Sequence, residues 1–289
     1  MLLCGAALFV RGAGPYGLPE ASAQTVPRRI ISLVPSVTEM LFAVGAGSQV
    51  VGVSSYDTFP PEVARLPRVG ALLDPDVERI LSLKPDLVVT YASQGSLEQQ
   101  LQRAGIRIFS DRFGRVPGIL QTIRDVGTIT GHAQESEAKA REIQTRLDAI
   151  KARVKGQPRP RTLLVFGRDP GTLQQVYAVG GSSFLHDTLD LAGGENVFAD
   201  VARESVQPSH EMLITRAPEV VIELRASRMA RSGGTEDLLK TWSLLPSIPA
   251  VRNRRVLALE GDYLLAPGPR IALIVDALAR ALHPSRIAR

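Results

Sequence analysis

A repeat inside the chain limits its fold more than any other feature. Val77-Glu-Arg-Ile-Leu-Ser-Leu-Lys-Pro-Asp-Leu-Val-Val89 lines up with His210-Glu-Met-Leu-Ile-Thr-Arg-Ala-Pro-Glu-Val-Val-Ile222 at a constant offset of 133 residues. Glu78 meets Glu211, Pro85 meets Pro218 and Asp86 meets Glu219. Upstream, Arg29-Ile-Ile-Ser-Leu matches Arg161-Thr-Leu-Leu-Val at an offset of 132. The halves read as two copies of one α/β unit. Two such units form two lobes with a cleft between them, and clefts at lobe interfaces are where small ligands sit.

The hydrophobic pattern around the repeat supports this. Arg29-Ile-Ile-Ser-Leu-Val34 is a short apolar run ending at Pro35. Residues 36–44 then show helical spacing, with Ser36 as the expected N-cap, Glu39 as its capping-box partner and Gly45 as the stop. A strand is expected over 50–54, and the following loop, 55–73, carries Tyr56, Phe59, Pro60 and Pro61. Helix 77–83, strand 87–90, helix 97–104 and strand 106–109 come next, and such alternation predicts parallel sheets covered on both faces. Between residues 134 and 155, Ile143, Leu147, Ile150 and Val154 form one narrow apolar stripe on a long charged helix, closed by Gly156-Gln-Pro-Arg-Pro160. That helix suits a connector between lobes and also the edge of a single domain; the repeat favours the connector. The expected fold is α/β, with two Rossmann-like lobes at 28–133 and 158–285 joined by one long helix at 134–157.

Composition removes several classes. Hydrophobic residues make up 44% and charged residues 22%, ordinary globular usage, and no uninterrupted apolar run reaches the roughly 18 residues of a membrane span. A disordered chain and a polytopic membrane protein are excluded. The net charge of +5 comes from basic residues scattered among acidic ones, which argues against nucleic-acid binding. Residues 1–10 are apolar, 11–20 are rich in Gly and Pro, and Ala21-Ser-Ala23 fits a signal-peptidase site before Gln24. Residues 1–23 therefore read as a secretory signal, although they lack a basic n-region. The only cysteine, Cys4, falls in this leader. Only three residues precede it, the last being bulky Leu3, which disfavours a lipid anchor there. The mature chain would have no disulfide, thiolate metal site or cysteine nucleophile.

Signatures of catalysis are missing. Gly45-Ala-Gly-Ser-Gln-Val50 lacks the third glycine of a dinucleotide fingerprint, and no Gly-Lys-Ser/Thr occurs. Gly180-Gly-Ser-Ser-Phe184 is not a nucleophile elbow. His132, His186, His210 and His283 have no second ligand at metal spacing. No catalytic residue, resident cofactor or metal site is expected.

Four ordered motifs carry a family resemblance: Arg29-Ile-Ile-Ser-Leu-Val-Pro-Ser-Val-Thr-Glu39, Val51-Gly-Val-Ser-Ser-Tyr-Asp-Thr-Phe-Pro-Pro61, Glu78-Arg-Ile-Leu-Ser-Leu-Lys-Pro-Asp-Leu-Val88 and Gly193-Gly-Glu-Asn-Val-Phe198. Together they resemble the periplasmic substrate-binding proteins of ABC importers for vitamin B12, haem and ferric siderophores. The match covers about residues 28–285, nearest to the vitamin B12 binders. The resemblance implies the class III fold of that group, a periplasmic monomer without enzymatic activity, and a partner made of a two-fold permease with its ATPase subunits. The implied ligand is a small cobalt- or iron-containing chelate, a corrinoid first and haem or a ferric siderophore as the alternative. It makes Tyr56 and Phe166 ligand contacts; Tyr91 and Tyr263 are expected beside them in the cleft lining. The sole tryptophan, Trp242, leaves the ring lining thinner than in the vitamin B12 binders, and Phe59 stands where haem binders of the family offer a tyrosine.

Arg112, Arg168 and Arg225 fall where loops should leave strands at the cleft mouth. They suit an anionic or phosphate-bearing chelate, and equally suit ordinary solvated loop arginines. Glu78 and Glu211 each lie in the first turn of a helix, where the helix dipole favours a carboxylate. The resemblance adds a second role, docking of each glutamate into an arginine pocket on one permease subunit.

Overall fold

A computed structural model describes residues 25–112, 114–226 and 235–284. The expected signal segment and Cys4 lie outside the described residues. The first lobe runs β1 (Ile30–Ser32), α1 (Pro35–Ala43), β2 (Val50–Val53), α2 (Val77–Ser82), β3 (Leu87–Tyr91), α3 (Gly95–Arg103) and β4 (Arg107–Asp111), followed by α4 (Val116–Thr130). Helix α5 (Ala133–Val154) leads to the second lobe: β5 (Arg161–Gly167), β6 (Tyr177–Val179), α6 (Phe184–Leu191), β7 (Glu195–Asn196), β8 (Ser205–Val206), α7 (His210–Arg216), β9 (Val220–Arg225), α8 (Thr235–Trp242), α9 (Pro249–Arg252), β10 (Val256–Glu260) and α10 (Ile271–Leu282).

The first sheet has the order β2-β1-β3-β4 and is parallel throughout. In the second sheet β7, β5, β9 and β10 repeat that order in parallel, and antiparallel β6 and β8 extend the edge beyond β5. The sequence repeat is thus a topological repeat. Its kept residues form the same latch twice. The Arg29 amide donates to the Asp86 carboxylate at 3.0 Å, and the Arg161 amide to the Glu219 carboxylate at 2.9 Å. Arg29 Nη2 donates to the Leu83 carbonyl at 2.6 Å, and Arg161 Nη2 to the Arg216 carbonyl at 2.7 Å. Lys84 and Ala217 adopt left-handed φ values of 47° and 45° just before the shared prolines, which turns the chain out of α2 and α7 into the next strand.

Each sheet is covered on both faces. Ile31 and Val88 pack with Ile80, Leu97 and Leu101 on the outer side of the first sheet, and Leu163, Val165 and Val221 pack with Leu213, Leu238 and Trp242 on the outer side of the second. The inner faces share one core. It joins Ile30, Leu87 and Ile123 to Ile143 and Leu147 of α5, then to Leu164, Ile222, Ile274 and Leu278. Helices α4 and α5 approach closely at Gly127, where a Cβ would fall 2.1 Å from the Ser136 side chain. The stripe expected on the linker is the buried face of α5, where Ile143, Leu147, Ile150 and Val154 meet this core.

Two details differ from expectation. Helix α1 begins at Pro35 with Val34 as N-cap, so Ser36 lies inside the first turn and does not cap. Proline is favoured there because its missing N–H would have no helical partner. Glu39 is consequently not a capping residue. The second is helix α4, which is additional to the elements expected above and buries Val116, Ile119, Leu120, Ile123 and Val126.

Candidate ligand-binding cleft

In open parallel sheets ligands gather beyond the carboxyl ends of the strands, where loops carry side chains the sheet positions. Tyr91 ends β3, Arg112 follows β4, Phe166 lies near the end of β5, Arg168 follows it and Arg225 ends β9. Tyr56 follows β2 and is 64% exposed, whereas Tyr263, after β10, is half-buried. Arg112 is exposed. The half-buried Tyr91 has its phenol held above its usual range, first by burial and then by the charges of Glu204 and Asp111. Glu204, just before β8, belongs to the other lobe.

Among the described residues, side-chain hydrogen bonds bridge the lobes at two places. Arg270, just before α10, donates from Nε and Nη2 to the two carboxylate oxygens of Glu39 at 2.9 and 2.7 Å, and from Nη1 to Asp262 at 2.8 Å. Its guanidinium lies 4.0 Å from the centre of the Phe59 ring and 5.9 Å from that of Tyr263. One cation therefore ties the Phe59 loop of the first lobe to the Tyr263 loop of the second. At the second bridge Arg115 pairs with Asp187, whose other oxygen accepts from the Val116 amide at 2.9 Å, and Arg115 Nη1 donates to the Gly181 carbonyl at 3.0 Å.

Arg168 and Arg225 are not solvated loop cations. Glu223, centred in the second sheet, receives Arg168 Nε at 2.6 Å, Arg225 Nη2 at 3.0 Å and the Trp242 indole N–H at 2.8 Å. Arg168 also donates to the carbonyls of Asp169 and Thr172, both at 3.1 Å. The cluster is buried and forms one wall of a cavity of about 550 Å³. Phe166, Lys240, Thr241 and Leu244 also line it, all from the second lobe. Phe166 stands 6.1 Å from Tyr177, ring centre to ring centre, tilted by 40°. Among the described residues no group of three His, Cys, Asp or Glu side chains is placed to hold a metal ion.

Of the predicted contacts, Tyr56 and Tyr91 follow or end strands of the first lobe and Phe166 and Tyr263 end or follow strands of the second, and Arg270 brings the Tyr263 ring near Phe59. The structure adds Phe59, Glu39, Arg270 and Glu223, which the sequence reading did not select. Glu78 and Glu211 lie outside the cleft, exposed on the first turns of α2 and α7.

One buried acid near the cleft loop is unsatisfied. Asp57 is 2% exposed, and neither of its carboxylate oxygens reaches a hydrogen-bond partner. Arg68, the nearby cation, donates instead to the backbone carbonyls of Ser54 and Asp57, both at 2.9 Å. Burial pushes the Asp57 carboxyl up to about 6, against smaller opposing effects of Thr38, Ser54 and Arg68. A carboxyl raised on folding binds its proton more tightly in the native state, so stability declines as pH rises from the unfolded value toward 6. Asp57→Asn should remove that part of the slope and raise stability at pH 7 by about 2 kcal/mol. Urea unfolding at pH 4 and pH 7 checks this; equal behaviour of variant and parent at both pH values would show that Asp57 finds a partner in solution.

The comparisons with known proteins agree with this architecture. The vitamin B12-binding protein of Salmonella typhimurium is 31% identical over 256 residues, 88% of this chain and 90% of that protein. Among solved structures, the periplasmic vitamin B12-binding protein of Vibrio cholerae has a TM-score of 0.75 at 25% identity, covering 90% of this chain and 98% of that one. A periplasmic haem-binding protein solved with two haems has a TM-score of 0.76 at 28% identity, covering 89% of this chain and 98% of that one. The family model described as periplasmic binding protein matches residues 30–263. That span takes in both sheets, the linker helix and the cleft loops as far as Tyr263, and the chain belongs to the periplasmic binding protein family of solute carriers, which bind their cargo and do not transform it.

Proposed function

We propose that this chain captures a corrinoid in the inter-lobe cleft and delivers it to an ABC importer. The observation that carries the reading is the 31% identity to a vitamin B12-binding protein over most of both chains, and the aromatic residues that end or follow strands in each lobe support it. A flat macrocycle gains from ring faces, each well-buried aromatic contributing on the order of 1–3 kcal/mol. Tyr56, Tyr91, Phe166 and Tyr263 supply those faces, and Phe59, held against Arg270, adds another. Arg112 is the exposed cation at the rim. Arg168 and Arg225, fixed on Glu223, form the cavity wall into which a polar appendage of the ligand extends. The cargo is a cobalt- or iron-containing chelate that arrives with its metal bound.

Haem is the second reading, supported by the structural likeness to a haem-binding protein. In this reading an iron ligand comes from a tyrosine such as Tyr56 or Tyr91, since position 59 offers only a phenyl ring. The chain acts as a monomer in the periplasm, starting at Gln24 after removal of residues 1–23. Glu78 and Glu211 dock to the two permease subunits.

Titration with cyanocobalamin, and separately with haemin, decides between the ligands. Cyanocobalamin is expected to bind one to one at micromolar or tighter affinity. At a hundred-fold excess over Kd it should stabilise the fold by about 2.7 kcal/mol, raising Tm by roughly 5–10 °C. No heat and no thermal shift with cyanocobalamin, beside a saturable Soret change with haemin, would transfer the proposal to haem.

A further inference from the structure

The two copies of the repeat share more surface than the glutamates alone. Most positions they keep have a duty inside the fold: Ile80 and Leu213 are buried, Asp76 and Ser209 cap α2 and α7, and Asp86 and Glu219 accept the Arg29 and Arg161 amides. Two kept positions make no such contact, although the helix dipole favours the glutamate at one of them. Glu78 and Glu211 are exposed and enter no ion pair among the described residues. Leu81 and Ile214, three residues further on, are 41% and 42% exposed. Residues three apart on a helix are surface neighbours, so each lobe shows a carboxylate beside an aliphatic side chain. The residues around them differ between the copies, Asp74 facing Gln207, Arg79 facing Met212 and Lys84 facing Ala217.

We infer that each lobe carries a two-part docking epitope, Glu78 with Leu81 and Glu211 with Ile214. Its occupant is a two-fold permease whose halves each offer a cation next to an apolar seat. The inference rests on the docking reading of the glutamates given above and adds the aliphatic half. The two parts act differently. Exposed charges steer and orient a partner, but salt screens them within about 8 Å at physiological ionic strength. An aliphatic side chain that leaves water on contact gives adhesion that salt does not weaken. Two equivalent epitopes on a pseudo-symmetric molecule suit a symmetric partner, because one type of seat then serves both lobes.

The test measures binding of the labelled, ligand-free chain to right-side-out membrane vesicles from the cells that make it, at 50 mM and 500 mM NaCl. The double variant Leu81→Ser, Ile214→Ser is expected to bind about ten-fold more weakly than the parent at both salt concentrations, with cleft affinity and Tm unchanged. The double variant Glu78→Ala, Glu211→Ala should lose most at 50 mM, its deficit shrinking at 500 mM. Leu273→Ser, an exposed aliphatic change on α10, should bind like the parent. Parent-like binding of the Leu81, Ile214 variant beside a weakened Glu78, Glu211 variant would overturn this inference and keep the glutamate reading. Parent-like binding of both would overturn the two together.

Discussion

Glu223→Ala is expected to cost this protein about 3–5 kcal/mol of stability, because it leaves two buried guanidinium groups without their shared anion. Glu223 sits in β9 between Val165 of β5 and Ala258 of β10 and receives Arg168, Arg225 and the Trp242 indole. Its side chain and those of both arginines are at most 10% exposed, so water can replace little of the lost charge. The loss should spread to Trp242, whose N–H would be buried without an acceptor. Urea unfolding followed by tryptophan fluorescence reads both effects, since Trp242 is the only such reporter. Glu223→Gln keeps an acceptor oxygen for the indole and should fall between the parent and the Ala variant. A loss below about 1 kcal/mol for Glu223→Ala would mean that the cavity wall rearranges to let solvent reach the arginines.

Arg270→Ala should lower stability by about 3 kcal/mol near neutral pH by stranding Glu39, whose side chain is 6% exposed. The deficit should depend on pH. Burial raises the Glu39 carboxyl above its ordinary value, and the hydrogen bonds and charge of Arg270 pull it back down. Without Arg270 the carboxyl rises further. Below the unfolded carboxyl value Glu39 is protonated in native and unfolded chains alike, and no charge is stranded. As pH climbs, the variant must either hold its proton or bury an unpaired anion, so its deficit grows. A double-mutant cycle with Glu39→Gln should give a coupling of about 1–3 kcal/mol at pH 7 that fades toward pH 4. A deficit constant from pH 4 to pH 8 would assign the contribution of Arg270 to its packing on Phe59 rather than to the ion pair.

The alternating elements and the repeat are legible because strands buried on both faces leave short apolar runs, such as Leu87-Val-Val89 and Val220-Val-Ile222. The constant offset then aligns two latches, whose hydrogen bonds need only the right residue at the right distance along the chain. Helix α4 shows the opposite case. Its apolar spacing is regular, but Pro117 and Gly118 at its start resemble loop residues, and only the first-turn position makes proline harmless there. The cleft is legible in its aromatic and basic residues and illegible in what holds them. Ser36 and Glu39 have capping-box spacing, and nothing local shows that Glu39 reaches Arg270, 231 residues away. Glu223 is a single acid inside an apolar strand, so its two arginines look like free loop cations until the strands are assembled.

The shared inner core means that neither half of the duplicated chain owns a complete interior. Helix α5, which carries Ile143 and Leu147, packs against α4 of the first half and against α6 and α10 of the second, and α10, at the far end of the sequence, closes a core that begins at Ile30. Stability in such an arrangement is not the sum of two independent parts. Opening one lobe would strip the inner face of the other, so amides in β1 and β9 should exchange with solvent only through the same global event, as a single foldon. The molecule is duplicated in architecture and undivided in its cooperativity, and this fixes the distance between α2 and α7 without any need for a rigid hinge.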